Sequence, residues 1–371
     1  MSAENDSIRV GLVGPGWWAE TMFVPAVEAH TDADLVAVCG RDLGRTRAFA
    51  DAHGIDHVFS DAQEMFDSGV IDAVIISTIN RVHHPLTMAA LDAGLHVLCE
   101  KPLATTIEEA DEMAATARET GLTCHVPFTY RYMPVTHYVK RLLEEGYVGR
   151  PYLLNLRYYT GYARDGRYAW RFDPAEAGNA GVLGDLGSHW VDLAQWYFGE
   201  IEAVTCVTSH TVEREPRPDG GKYDPLDDGA TIIVEFESGA QGVLTMTAAV
   251  YEDSPFGQTH QIDVFGSEGT LYALNDWNTV QQVRGAKVGD HVADLPIPDG
   301  VWGDARRDFV HDTYRDIYRN QDVLTRGWLS AIRDGEKYSP DFDTGAAVQR
   351  VISACETSAA EQRRVHLAEV C

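Results

Sequence analysis

Two stretches of this 371-residue sequence carry side chains suited to acid–base chemistry. In the first, Leu95-His96-Val97-Leu98-Cys99 reads as a buried strand running into Glu100-Lys101-Pro102. Lys101 then stands just past the carboxyl end of a central strand, where α/β sheets bind ligands. A surface lysine before a proline-led turn is the bland alternative. In the second, Gly184 to Asp192 reads as the start of a helix through Phe198, and residues four and seven apart share a helix face. Asp185, His189 and Asp192 would project together there. An imidazole between two carboxylates is a proton-transfer group, because its ordinary pKa lies near neutrality. A helix cap at Asp185 followed by a core-edge histidine would produce the same letters. His83-His84 has no third ligand at metal spacing and reads as a helix start, so no metal is expected.

The elements that must position these groups begin at the N-terminus. The apolar run Ile8, Val10, Leu12, Val13 predicts a buried strand, which breaks into Gly14-x-Gly16-x-x-Ala19 (with Trp17 and Trp18 inside it) and then a helix through Val27. That order makes a dinucleotide-binding turn: Gly14 for the tight turn, Gly16 for close approach of a pyrophosphate, Ala19 for helix–strand packing. Strands at 35–39, 70–77, 95–99 and 122–126 alternate with helices at Leu43–His53, 84–93 and Ile107–Thr120, which implies right-handed βαβ units and a parallel sheet. The second strand ends at Gly40, where NAD binders usually carry a ribose-binding carboxylate, and Arg41 and Arg45 follow. Guanidinium groups without that carboxylate suit a 2′-phosphate, so NADP is expected, with NAD the alternative.

From Tyr130 the pattern changes. A helix over 134–145, an alternating segment from Pro151 to Tyr162, a helix to Phe198 and five β-rich runs between 203 and 274 predict an α+β domain. Helices over 308–334 and 344–362 close it. The Pro-, Gly- and Asp-rich stretch 215–228 reads as a solvated loop rather than a lid. The boundary is expected at 127/128. Tyr159, Tyr162, Arg164, Tyr168, Trp170 and Arg171 could line a sugar pocket, since sugars favour aromatic faces with hydrogen-bonding rims; strand packing with solvated arginines is the competing account.

Composition sets the outer limits. The chain has 57 acidic and 30 basic residues, a formal charge of −27, so nucleic acid and anionic membranes are poor partners. Hydrophobic content of 44% supports well-buried cores. Six cysteines without a CxxC pair (Cys39, Cys99, Cys124, Cys206, Cys355, Cys371), no apolar leader in the first seven residues and no run of about 18 apolar residues point to the reducing cytoplasm.

Together these motifs resemble those of one family. Gly14-x-Gly16-x-x-Ala19, Ser77-Thr78-x-Asn80-x-x-His83, Glu100-Lys101-Pro102, Tyr130-Arg131-x-x-Pro134 and Gly184-Asp185-x-Gly187-x-His189-x-x-Asp192 occur in the order found in the glucose–fructose oxidoreductase and inositol dehydrogenase (Gfo/Idh/MocA) family. The closing stretch Ser358 to Leu367 fits as well. The resemblance implies a Rossmann domain and a second domain with an open, mostly antiparallel sheet, used for homodimer or homotetramer contacts. It further implies NAD(P)-dependent oxidation of a sugar or polyol, or reduction of the matching ketone, without metal. Lys101, Asp185 and His189 would then be catalytic: His189 takes the hydroxyl proton, Lys101 stabilises the alkoxide, Asp185 orients His189 or a neighbouring hydroxyl, and Asp192 supports them. Gly14, Gly16, Trp17, Trp18, Gly40, Arg41, Arg45, Ser77, Thr78, Asn80, His83, Glu100 and Lys101 would bind cofactor. Tyr159, Arg164, Trp170 and Arg171, with the catalytic three, would bind substrate. Ile79, Arg81, Thr129 and the run Gly178-Asn179-Ala180-Gly181 depart from the family pattern and leave the substrate open. A redox-neutral reaction on a glycoside, with the cofactor reduced only transiently, and a non-catalytic cofactor-binding sensor are the competing functions.

Overall fold

The computed structural model describes residues 7–251 and 257–370. Cys371 and residues 1–6 of the leader reading lie outside them. The chain forms two compact units, one of Met1–Phe128 with Arg315–Ala346, the other of Thr129–Tyr314 with Ala347–Cys371. The cut expected at 127/128 therefore leaves out a returning segment that packs with the first unit.

The first unit is a six-stranded sheet of β1 (Ile8–Val13), β2 (Ala33–Cys39), β3 (His57–Phe59), β4 (Ala73–Ile76), β5 (His96–Cys99) and β6 (Cys124–His125) in the order β3-β2-β1-β4-β5-β6. All pairings are parallel. Parallel strands covered on both faces need continuous apolar runs, and Ala73, Val74, Ile75 and Ile76 are each buried. Each fully buried Val, Leu or Ile contributes about 1.5–3 kcal/mol relative to exposure. Strand order reverses between β1 and β4, which opens a crevice at the carboxyl edge. The helix Leu43–His53 begins where Asp42 accepts the Arg45 N–H, and Ile107–Thr120 begins where Thr106 accepts that of Glu109. The region expected as one helix over 308–334 is two, Val310–Asn320 and Leu324–Asp334. Extended Val323 breaks the path, and Leu324 follows at a φ of +52°.

The second unit carries nine strands in the order β14-β13-β12-β11-β7-β10-β9-β8-β15. They are β7 (Pro151–Thr160), β8 (Ile201–Ser209), β9 (Gly229–Phe236), β10 (Gln241–Thr247), β11 (Gln258–Gly266), β12 (Gly269–Asn275), β13 (Gln281–Lys287), β14 (Ala293–Asp294) and β15 (Val365–His366). Among the described residues of this unit, only β7 and β10 pair in parallel. Period-two alternation sends Leu154, Leu156 and Tyr158 inward, onto the helix Gly187–Phe198 whose Trp190 ring lies 4.9 Å from that of Tyr158. Asn155, Arg157 and Tyr159 stand half-exposed on the other face.

The 215–228 stretch is not simply solvated. Arg217 forks onto the carboxylate of the fully buried Asp173 at 2.5 and 2.7 Å, Leu226 N–H donates to Phe172 O, and Asp227 accepts the N–H groups of Gly181 and Leu183. Composition marked the turn residues, but not these distant acceptors.

Candidate active site

In the first unit, three turns leave the carboxyl ends of β1, β4 and β5. Gly14 has a φ of +90°, and a Cβ there would stand 2.2 Å from Ser77 O, so the first two turns approach backbone to backbone. Around Gly16 the position of a Cβ meets nothing within 4 Å. That open side beside the N–H groups of a turn leading into helical residues 17–28 fits a dinucleotide pyrophosphate.

Gly40 is a different case. A side chain there would lie 2.5 Å from Thr46 Oγ1 and 3.1 Å from Pro15, so packing alone demands glycine. Asp42, two residues on, is engaged in capping the next helix, accepting the Arg45 N–H at 3.0 Å. Arg41 and Arg45 are exposed at the end of β2.

The lysine turn is held from both sides. Trp18 donates its indole N–H to Glu100 Oε1 at 2.6 Å, while Glu100 Oε2 accepts the Lys101 N–H at 3.1 Å. Beyond the lysine, His83 Nδ1 lies 2.9 Å from Pro102 O and its Nε2 3.3 Å from Thr78 O. Burial, with a smaller contribution from the Lys101 charge, pushes the His83 pKa down. The neutral ring has one N–H, and the shorter contact to Pro102 takes it. Asn80 is buried in the turn after Ser77 and Thr78, whereas Trp17 is 67% exposed. His84 turns away to Glu112, 2.8 Å distant.

In the second unit, the helix expected to start at Asp185 is interrupted at Leu186, between Val182–Asp185 and Gly187–Phe198. The three acidic and imidazole groups each have neighbours within this unit. Asp185 Oδ2 accepts the Tyr162 hydroxyl at 2.8 Å and lies 3.2 Å from Arg171 Nε. The His189 ring rests 4.5 Å from that of Tyr130. Asp192, buried to 1% of its side chain, is forked by Arg131, whose Nε reaches Oδ2 at 2.8 Å. Burial raises the Asp192 pKa and the Arg131 charge opposes that rise. Asp192 thus fixes the guanidinium of Arg131, the residue that follows Tyr130.

Tyr130 is itself fixed by a buried polar chain. Its hydroxyl lies 2.7 Å from that of Tyr158 and accepts from Gln258 at 3.2 Å, and Gln258 lies 2.9 Å from His260 Nε2. Burial pushes both phenols above their ordinary pKa and His260 below its own, so all three are neutral hydrogen-bonding groups. Sequence reading selected Tyr159 for this pocket, but the pleat turns Tyr159 to the opposite face, beneath the Arg157 guanidinium at 4.9 Å. Parity with Leu154 and Leu156 was the available signal, and it points to Tyr158. Trp170 and Arg171 share a short helical turn and stack on each other at 4.6 Å; Arg164, exposed, lies over Tyr251. Tyr162, one of the aromatic residues expected along the pocket, meets Asp185; Gln258 and His260 were not selected as site residues.

A doubly wound parallel sheet with a glycine turn, and a separate unit carrying a histidine on a helix packed against a mostly antiparallel sheet, define a dinucleotide-dependent oxidoreductase. The chain belongs to the Gfo/Idh/MocA oxidoreductase family: residues 8–128 match its NAD-binding Rossmann fold and 136–272 its C-terminal domain. It is 32% identical to the D-glucoside 3-dehydrogenase of Escherichia coli over 98% of both chains. It is 30% identical to the 1,5-anhydro-D-fructose reductase of Ensifer adhaerens, over 72% of this chain and 76% of that one. Among solved structures, levoglucosan dehydrogenase in complex with NADH and levoglucosan superposes with a TM-score of 0.83 at 25% identity, covering 97% of this chain and 99% of the other. Among the described residues, no helix is long and apolar enough to cross a membrane.

Proposed function

We propose that this chain moves a hydride between a nicotinamide cofactor and a secondary hydroxyl of a sugar, polyol or sugar derivative. The observation that supports this reading is that each unit fixes its own reactive turn: the backbone of Lys101 is pinned at the carboxyl edge of the parallel sheet in one, and Asp185 is gripped by Tyr162 and Arg171 four residues before His189 in the other. The names of the relatives support the substrate class. When bound, the cofactor supplies the hydride acceptor. His189 takes the hydroxyl proton, and the Lys101 ammonium stabilises the oxygen as negative charge develops on it. Asp185, with one oxygen committed to Tyr162, holds a neighbouring hydroxyl. Trp170 and Arg171 offer a flat face and donors to a sugar ring.

NADP is the preferred cofactor in this reading and NAD the weaker one, because Arg41 and Arg45 are exposed beside a position that cannot carry a carboxylate. The test is a panel of D-glucosides, 1,5-anhydrosugars, levoglucosan, inositols and hexoses assayed with NADP and NAD separately, following absorbance of the reduced cofactor. Turnover of at least one ring polyol, with a higher kcat/KM for NADP, is the expected result. No turnover of any with either cofactor overturns the function, and an NAD preference overturns the cofactor choice.

The reading also places the enzyme in the cytoplasm as a homodimer or homotetramer, joined through the half-exposed sheet face of Asn155, Arg157, Tyr159, Val243, Thr245 and Gln261. Sedimentation should give two or four times the 41.0 kDa chain mass, and a monomer at all concentrations would contradict it.

A further inference from the structure

The helix after the glycine turn opens with a π turn over Ala19–Phe23, a widened backbone often found at functional sites. Immediately before it, Trp17 and Trp18 diverge: Trp17 is exposed, whereas Trp18 is half-buried and its indole is fixed at several points. The ring edge packs on Tyr318 at 5.9 Å, and Tyr318, fully buried, packs in turn on Phe23 at 5.7 Å. The indole N–H, a donor with no acceptor capacity, is spent on Glu100. Glu100 is only 9% exposed, and its second oxygen holds the backbone N–H of Lys101.

We propose that Trp18 is a positioning residue for Lys101, acting through Glu100. The inference rests on the reading that Lys101 works on the substrate. An ionised carboxylate accepts hydrogen bonds and donates none, so its orientation is set by the donors around it. Trp18 supplies one from the turn that would hold the pyrophosphate, and the lysine's own N–H supplies another. On the far side His83 secures Pro102 O. The residues before and after the lysine are thereby tied to the turns following β1 and β4. The ammonium is delivered from a backbone with little freedom, the condition under which a charge stabilises a developing oxyanion without reorganising. The same ties link the lysine mechanically to the cofactor turn, so a displacement of one is felt by the other.

Trp18→Phe keeps an aromatic ring against Tyr318 and removes the N–H. It should lower kcat about 10- to 100-fold, the scale of a displacement near 1 Å at a reacting centre. The cofactor dissociation constant, followed by quenching of the remaining tryptophans, and the melting temperature should stay near wild type. The deciding measurement is a double-mutant cycle with Lys101→Met, using methyl D-glucoside or the best substrate of the panel above. In the Lys101→Met background, Trp18→Phe should cost less than threefold, because the group it positions is gone. Glu100→Gln, which weakens the acceptor of both donors, should show the same loss of additivity. An equal loss in both backgrounds, or a Trp18→Phe enzyme with full turnover beside a crippled Lys101→Met, overturns the positioning role and leaves the function standing. Full turnover by Lys101→Met itself overturns the positioning role together with the part given to Lys101 in the chemistry.

Discussion

Lys101→Met lowers turnover by about 10²–10³-fold, the cost of losing one preorganised donor to a developing oxyanion. Methionine keeps the length and much of the volume of the lysine stem, so the turn from Glu100 to Pro102 has no steric reason to rearrange. The backbone N–H of residue 101 still donates to Glu100, and His83 still reaches Pro102 O. Affinity for NADP should change little, because the glycine turn and the N–H groups beside Gly16 are untouched. Steady-state kinetics with the best sugar of the panel, together with fluorescence titration of the cofactor, separate the two effects. A variant that turns over normally would remove Lys101 from the chemistry, whereas one that no longer binds cofactor would recast it as a binding residue.

Removing the guanidinium of Arg131 is expected to have the largest effect on stability. Arg131→Met strands the Asp192 carboxylate, whose side chain is 1% exposed, and breaking one partner of a buried pair costs about 3–5 kcal/mol. Urea unfolding at neutral pH should report a loss of that order. The double substitution Arg131→Met with Asp192→Asn should recover part of it, since a neutral amide needs no counter-charge. The pH dependence has a definite sign. Burial already holds the Asp192 pKa above its ordinary value, and without Arg131 it rises further. The folded variant then binds a proton more readily than its unfolded chain does. Its deficit relative to wild type is fully present above the raised folded-state pKa and shrinks as pH falls through it. A deficit that widens toward acid would contradict the assignment.

The parallel unit was readable because its signals are local. β1, β4 and β5 are short apolar runs ended by Gly14, Ser77 and Glu100, and the helices carry their own caps at Asp42 and Thr106. The glycine turn, the lysine and the histidine each announce themselves within a dozen residues. What was not legible depends on partners far away in sequence. β13, written Gln-Gln-Val-Arg-Gly-Ala-Lys, is a strand because β12 lies beside it rather than because of its composition. Asp192 looked like a partner for His189 until Arg131, 61 residues earlier, claimed it. Tyr159 was chosen over Tyr158 because two adjacent tyrosines look alike until the pleat assigns their faces. The interruption at Leu186, between Val182–Asp185 and Gly187–Phe198, likewise had no signal in the spacing.

The returning segment 315–346 has a consequence for the birth of the molecule. It supplies the first unit with Tyr318 and Trp328, both fully buried, and Trp328 Nε1 donates to Thr123 O. Pro340 O accepts the Val126 N–H, so even the outer strand of the nucleotide-binding sheet is finished by late sequence. The ribosome must synthesise the intervening 186 residues, from Thr129 through Tyr314, before the N-terminal segment can close its own core. Nascent chains arrested in between would carry a nearly complete sheet with an uncovered apolar flank, exposed until the segment from Arg315 emerges.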